Sequence, residues 1–167
     1  MDLGLKGKVA LVMASSRGLG QAMAISLARE GVRVAVTGRN AEGLKKSVEL
    51  IEAVGGKALA LSWDVSDSSV IDALVTKVEQ ELGPIDILIN NTGGPPPTLA
   101  TGQDPALWQK SFNDMVLSLI SITDRVLPGM RQRKWGRIIT STTSGAIAPI
   151  KNLAISNTLR AALLAWS

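Results

Sequence analysis

The chain has 167 residues and a formal net charge of +4, with 46% apolar and 19% charged residues. That is the composition of one folded domain with a sizeable core, which a disordered chain does not have. Cys, His and Tyr are all absent. Their absence excludes disulfides, thiolate nucleophiles, imidazole acid–base chemistry and the usual zinc sites.

Short β-branched runs alternate with helical patterns along the chain. Val9–Ala14 reads as a buried strand and Gly18–Glu30 as a helix, with Gly31 where a C-terminal cap belongs. Arg33–Thr37 is a second strand. Asn40 is the expected N-cap of a helix from Ala41 to about Val54, closed by Gly55-Gly56. Lys57–Ser62 is a third, weaker strand. Asp67–Leu82 is a helix with Val70, Ile71, Leu74, Val75 and Val78 on one face, ended by Gly83-Pro84. Ile85–Asn90 is a fourth strand, followed by the Gly/Pro loop Thr92–Thr98. Asp104-Pro105 reads as an N-cap and first helical position. The long helix that follows runs toward Arg133, with a disturbance expected near Pro128-Gly129. Arg137–Ser141 is a fifth strand, and Asn152–Trp166 begins another helix. The pattern stops at Leu164-Ala165-Trp166-Ser167 without a cap signal, so the expectation is a truncated chain.

Strand–helix alternation of this kind predicts an α/β fold: a Rossmann-like, doubly wound parallel sheet in three layers, α/β/α, as a single domain over residues 1–167. The positive excess is small and spread along the sequence, so no nucleic-acid partner is expected. The cluster Arg131, Arg133, Lys134 and Arg137 reads as a solvated helix end and loop. Trp108 and Trp135 read as packing anchors. No apolar run approaches the roughly 20 residues of a membrane span. Met1-Asp2-Leu3-Gly4 carries neither the basic nor the apolar region of a secretory signal, so a cytoplasmic protein without a membrane partner is expected.

The first strand leads straight into Ala14-Ser15-Ser16-Arg17-Gly18-Leu19-Gly20 and then a helix. A glycine-rich turn there lets backbone N–H groups approach a pyrophosphate, and the helix N-terminus adds the positive end of its dipole. Alanine at 14 adds one methyl group, which permits close approach if φ is negative there.

On these residues the chain resembles the short-chain dehydrogenase/reductase family over its whole length. The family's Thr-Gly-x-x-x-Gly-x-Gly has its counterpart in Met13–Gly20, with Ala14 for the first glycine. Asn90-Asn91-Thr92-Gly93 resembles Asn-Asn-Ala-Gly, and Asp64-Val65 resembles the pair whose Asp meets the adenine. Gly136-Arg137-Ile138-Ile139 resembles the opening of the fifth strand. The resemblance implies cofactor contacts from Ala14, Ser16, Arg17, Gly18, Leu19, Gly20, Asp64, Val65, Asn91 and Gly93. Versions that bind NAD hold the ribose 2′-hydroxyl with an acid at the end of the second strand. Here Gly38-Arg39-Asn40 has none, and Arg39 and Arg17 suit a 2′-phosphate. NADP is expected over NAD, and no metal.

The family's Tyr-x-x-x-Lys motif falls on Ser156 and Arg160, and its Ser on Thr143. Its Asn falls at about Met115, with Asn113 nearby. An aliphatic hydroxyl is a far weaker acid than a phenol, and a guanidinium stays protonated. Arg160 is therefore read as a group that holds the cofactor ribose, and Thr142, Thr143 and Ser144 as hydroxyls for a carbonyl oxygen. Lys151 reads as an exposed loop lysine. The resemblance implies an NADP-dependent oxidoreductase acting on a small carbonyl substrate such as a 3-oxoacyl thioester, as a homodimer or homotetramer. The alternative it leaves open is a nucleotide-binding sensor or partner subunit of the same fold without the chemistry.

Overall fold

The computed structural model describes residues 2–167. The strands are β1 (Val9–Val12), β2 (Arg33–Gly38), β3 (Lys57–Ser62), β4 (Ile87–Asn90) and β5 (Arg137–Thr140). They form one parallel sheet in the order β3-β2-β1-β4-β5. The helices are α1 (Gly18–Arg29), α2 (Ala41–Glu52), α3 (Ile71–Glu81), α4 (Pro105–Phe112), α5 (Ser118–Gln132) and α6 (Ala154–Trp166). Parallel neighbours require crossovers, and the helices supply them on both faces of the sheet.

Strand alternation divides the apolar side chains between two cores. Val9, Leu11, Ala35 and Leu88 face α3, α5 and α6, where Val75, Val78, Leu119, Ile122, Ile155 and Leu163 meet them. Ala10, Val12, Val34, Val36, Ile87 and Ile89 face α1 and α2, packing on Ala24, Ala28, Leu44 and Ile51. The central strands are buried on both faces, which is why β1 is apolar throughout and β4 is apolar up to Asn90, whose amide donates to the Thr123 hydroxyl at 3.0 Å. β5 is an edge strand, and Ile139 on it is 51% exposed.

The ends of the elements follow local chemistry. Gly31 takes φ +78° after α1, and its N–H donates to Ala28 O. The Asn40 side chain accepts from Gly43 N at 2.8 Å, and Asp104 accepts from Ala106 N at 2.8 Å ahead of Pro105. β1 stops at Val12 rather than Ala14, where φ is already +46°, and α3 begins at Ile71 rather than Asp67, whose carboxylate caps a tight turn through Ser69. The expected disturbance at Pro128-Gly129 is corrected: Pro128 lies inside α5 without ending it. The break comes earlier, in a π-turn at Asn113–Leu117 that separates α4 from α5. There Ser118 N–H reaches five residues back to Asn113 O. The displaced Asp114 carbonyl accepts instead from the Ser118 hydroxyl at 2.8 Å.

At the amino ends of the strands, Trp135 packs beside the second core and carries Lys8 Nζ at 4.0 Å and the Arg137 guanidinium at 5.0 Å from its ring centre. Arg133 donates to Ile85 O at 2.6 Å. Among the described residues no helix is long and apolar enough to cross a membrane.

Candidate active site

The chain reverses direction across the sheet between β1 and β4, whose following loops diverge to opposite faces. In open α/β sheets a ligand crevice lies at that point, outside the carboxyl ends of the strands. A cleft of about 530 Å³ opens there. It brings together Ala14, Ser16, Arg17, Gly18, Leu19, Gly20, Arg39, Asp64, Val65, Asn91 and Gly93. Gly38, Asn40, Trp63, Thr92, Gly94, Pro95, Ser111, Asp114 and Met115 complete its walls. Thr143, Ser156 and Arg160 stand outside this lining.

The floor is the turn after β1. Ser15 is fully buried, with its hydroxyl donating to Val12 O at 2.7 Å and accepting from Thr37 N at 2.9 Å. Ala14 N donates to Thr37 Oγ1 at 3.2 Å. Asn91 Nδ2 donates to Met13 O and Ala14 O, each at 3.3 Å, tying the end of β4 to the turn. These bonds hold Ala14 at φ +46°, in the left-handed region and not at the negative value considered for close approach. The extra methyl is therefore tolerated with strain.

The two glycines of the turn serve different ends. A Cβ on Gly20 would collide with Ala14 O and Ser15 Cα, so this position is fixed by packing. Gly18 has φ +60°, and a Cβ there would meet open space. Gly93 and Gly94 also face open space, and their backbones lie outside the left-handed region. The fold therefore does not demand glycine at 93 or 94. Arg17 occupies the N-cap of α1 and makes no capping bond with its side chain. The first N–H groups of the helix are therefore left without a side-chain acceptor. Leu19 in the first turn is 71% exposed at the mouth. A cradle of free N–H groups with an open glycine and an uncovered leucine fits the diphosphate of a dinucleotide.

At the β2–β3 side Arg39 Nη1 lies 3.6 Å from Asp64 Oδ2. The Ser66 N–H, assisted by the Ser66 hydroxyl and by Arg39, holds the Asp64 carboxyl below its usual range against an opposing contribution from burial. Trp63 is buried, and its Nε1 donates to Asp67 O at 2.9 Å, which fixes the strand end that presents Asp64. Ser111, Asp114 and Met115 reach the cleft from α4 and the π-turn. The resemblance pointed to this stretch only through the family's Asn position at about Met115, and nothing in the sequence singled out Ser111 or Asp114.

The β4–β5 side is built differently. The Thr143 hydroxyl accepts from Gly145 N at 3.4 Å and caps a short 3₁₀ turn, Ser144–Ala146. Ser156 is half-buried in the first turn of α6. Arg160 points inward: Nη1 donates to Ser141 O at 3.1 Å and Nη2 to Thr92 O at 3.3 Å. Burial pulls its guanidinium below the usual range. The loop 92–98 is anchored at its other end by Thr98. Thr98 N donates to Asn152 O at 2.8 Å, Ala154 N donates to Thr98 O, and Thr98 Oγ1 accepts from Ile155 N at 3.2 Å. Thr98 thus caps α6 from a distant loop.

A parallel doubly wound sheet with a glycine turn at its switch point defines a Rossmann-type protein. The family model described as short chain dehydrogenase matches residues 8–158, and the chain belongs to that family. It is 33% identical over 163 residues to the ketoacyl reductase HetN of Nostoc sp., covering 98% of this chain and 57% of that protein. It is 37% identical over 137 residues to the 3-oxoacyl-[acyl-carrier-protein] reductase FabG of Pseudomonas aeruginosa, covering 82% of this chain and 56% of that protein. The L-sorbose reductase of Gluconobacter frateurii, solved with NADPH and L-sorbose, superposes with a TM-score of 0.94 at 32% identity. That match covers 100% of this chain and 64% of the other. The chain thus spans a little over half the length of the curated relatives it matches.

Proposed function

We propose that the cleft binds NADP(H) and that the protein works as an oxidoreductase between a carbonyl and an alcohol. The observation that carries this reading is the turn at β1, whose open Gly18 and free helix N-terminus face a cleft with no acid at the end of β2. The N–H groups of Gly18–Gly20 receive the diphosphate. Arg17 and Arg39 take the 2′-phosphate, and Asp64 and Val65 border the adenine. Asn91 and Gly93 shape the far wall. When bound, the nicotinamide supplies or accepts a hydride at the substrate carbon, while the substrate oxygen gains or loses a proton. The Thr143 hydroxyl orients that oxygen. Ser156 stands where the family's Tyr would, and water is the proton source, because the chain contains no phenol. A small-molecule carbonyl substrate, a homodimer or homotetramer and a cytoplasmic location complete the proposal.

The same missing phenol favours a second reading, a nucleotide-binding sensor or partner subunit without turnover. Fluorescence titration of NADPH and NADH against wild type and Arg39→Ala tests the cofactor assignment. NADPH binds more tightly, and the substitution weakens it about tenfold, the worth of one charge-assisted phosphate contact at an exposed site. A preference for NADH that the substitution leaves unmoved overturns it. NADPH oxidation over a ketone panel that includes a 3-oxoacyl thioester then separates the two readings, since binding without turnover selects the second.

A further inference from the structure

Gly93, Gly94 and Pro95 form one wall of the cleft, yet nothing within that stretch holds them there. Both glycines are exposed, and the prolines at 95, 96 and 97 have no N–H to donate. Among the described residues, no hydrogen bond involves residues 93–97. The course of this wall is therefore set from its two ends. At the far end Thr98 bonds to Asn152, Ala154 and Ile155 at the start of α6. At the near end the Thr92 carbonyl accepts from Arg160 Nη2 at 3.3 Å. Both supports come from α6, which Ile155, Leu159 and Leu163 bury in the first core.

The resemblance gives Arg160 the task of holding the cofactor ribose, but its surroundings suit a different one. The side chain is 9% exposed and stands outside the cleft lining. Nη1 is taken by Ser141 O at 3.1 Å and Nη2 by Thr92 O. Ser141 N in turn donates to Asn90 O at 2.8 Å, so the segments after β4 and β5 are joined before Arg160 reaches them. The Thr142 hydroxyl donates back to Arg160 O at 3.4 Å. A planar guanidinium offers two N–H groups at fixed separation, which suits two carbonyls that must keep one spacing. We propose that Arg160 is a positioning residue. Through the Thr92 carbonyl it sets Gly93-Gly94-Pro95 as the wall for the nicotinamide half of the cofactor, and it does not touch the cofactor itself. The assignment rests on the reading of the cleft as an NADP(H) site with the adenine at Asp64 and Val65, at the opposite end from this wall.

The test compares calorimetric affinities for NADPH and for adenosine 2′,5′-bisphosphate, which carries the adenine half alone. Backbone ¹⁵N relaxation of Gly93 and Gly94 in the ligand-free protein is the second readout. Arg160→Met weakens NADPH about tenfold, the scale of re-ordering a few groups on binding, and leaves the bisphosphate within about twofold. The order parameters of both glycines fall from about 0.85 to below about 0.6. Arg160→Lys restores part of both. Thr98 also lies outside the cleft lining. Thr98→Val nevertheless shifts both readouts in the same direction, with NADPH about threefold weaker, because it loosens the other end of the same wall. Equal loss of both ligands in Arg160→Met overturns the assignment. So does unchanged order at Gly93 and Gly94, or a loss of NADPH in Arg160→Met that Thr98→Val does not share, which marks direct contact with the cofactor. If Arg160→Met fails to fold, Arg160→Lys and Thr98→Val decide. Failure of wild type to bind either ligand overturns the cofactor reading itself, and this assignment with it, whatever the order parameters show.

Discussion

Replacing Ala14 by Gly isolates the strain stored in the turn after β1. At φ +46° a residue with a Cβ costs roughly 1–2 kcal/mol relative to its ordinary conformation. Glycine removes that cost but loosens the unfolded chain by about 0.4–1 kcal/mol. The net expectation for Ala14→Gly is a gain of about 0.5–1 kcal/mol, or about 1–4 °C in Tm for a chain of this size. Gly18→Ala runs the comparison in reverse: φ is +60° and the space is open, so only the backbone term opposes the substitution. Its net loss is of the same size, about 0.5–1 kcal/mol. Gly93→Ala has neither a left-handed backbone nor a collision and is stabilising by about 0.4–1 kcal/mol. Urea unfolding of the three variants at constant slope gives the ordering Ala14→Gly and Gly93→Ala above wild type, with Gly18→Ala below it. A lower midpoint for Ala14→Gly refutes the claim that the turn is strained.

Three further outcomes follow from the same geometry. Gly20→Ala drives a methyl into Ala14 O and Ser15 Cα, which are backbone atoms that cannot swing away. It costs about 1–3 kcal/mol in urea unfolding and weakens NADPH in the fluorescence titration. Thr98→Val removes the acceptor for Ile155 N at the start of α6 and lowers stability by about 0.5–2 kcal/mol, with hydrogen exchange quickening in the first turn of that helix. The Asp64 carboxyl is held below its usual range in the folded protein, chiefly by the Ser66 N–H. Its contribution is therefore present at neutral pH and lost as the pH falls through the carboxylate range toward its folded value. Asp64→Asn flattens that acid limb in urea midpoints measured from about pH 7 down to pH 3, and an unchanged limb would count against the turn.

The sheet was legible because parallel strands buried on both faces must be largely apolar, as Val9–Val12 and residues 87–89 are. Lys57–Ser62 could be bounded as a strand despite its weaker pattern. Helix starts at Asn40 and Asp104 were legible because each carries its cap in its own side chain. The π-turn was not, since a proline offers a visible reason for a break and a widened ladder at Asn113–Leu117 offers none. The glycine turn was readable as a cradle, but the sign of φ at Ala14 was not, because Thr37 and Asn91 set it from distant strands. The inward course of Arg160 was equally hidden, since its acceptors Thr92 and Ser141 come together only in the folded sheet.

The segment from Thr92 to Thr98 is pinned at one end by Arg160 and at the other by the start of α6, with Pro95, Pro96 and Pro97 between. Such a span behaves as a strut and not as a flap. A molecule passing beside it meets an edge of fixed outline, and fit against that edge is set by the side chains the segment carries. Evolution of selectivity on this scaffold would then proceed by exchanging the side chains on the frame while the frame itself stays put.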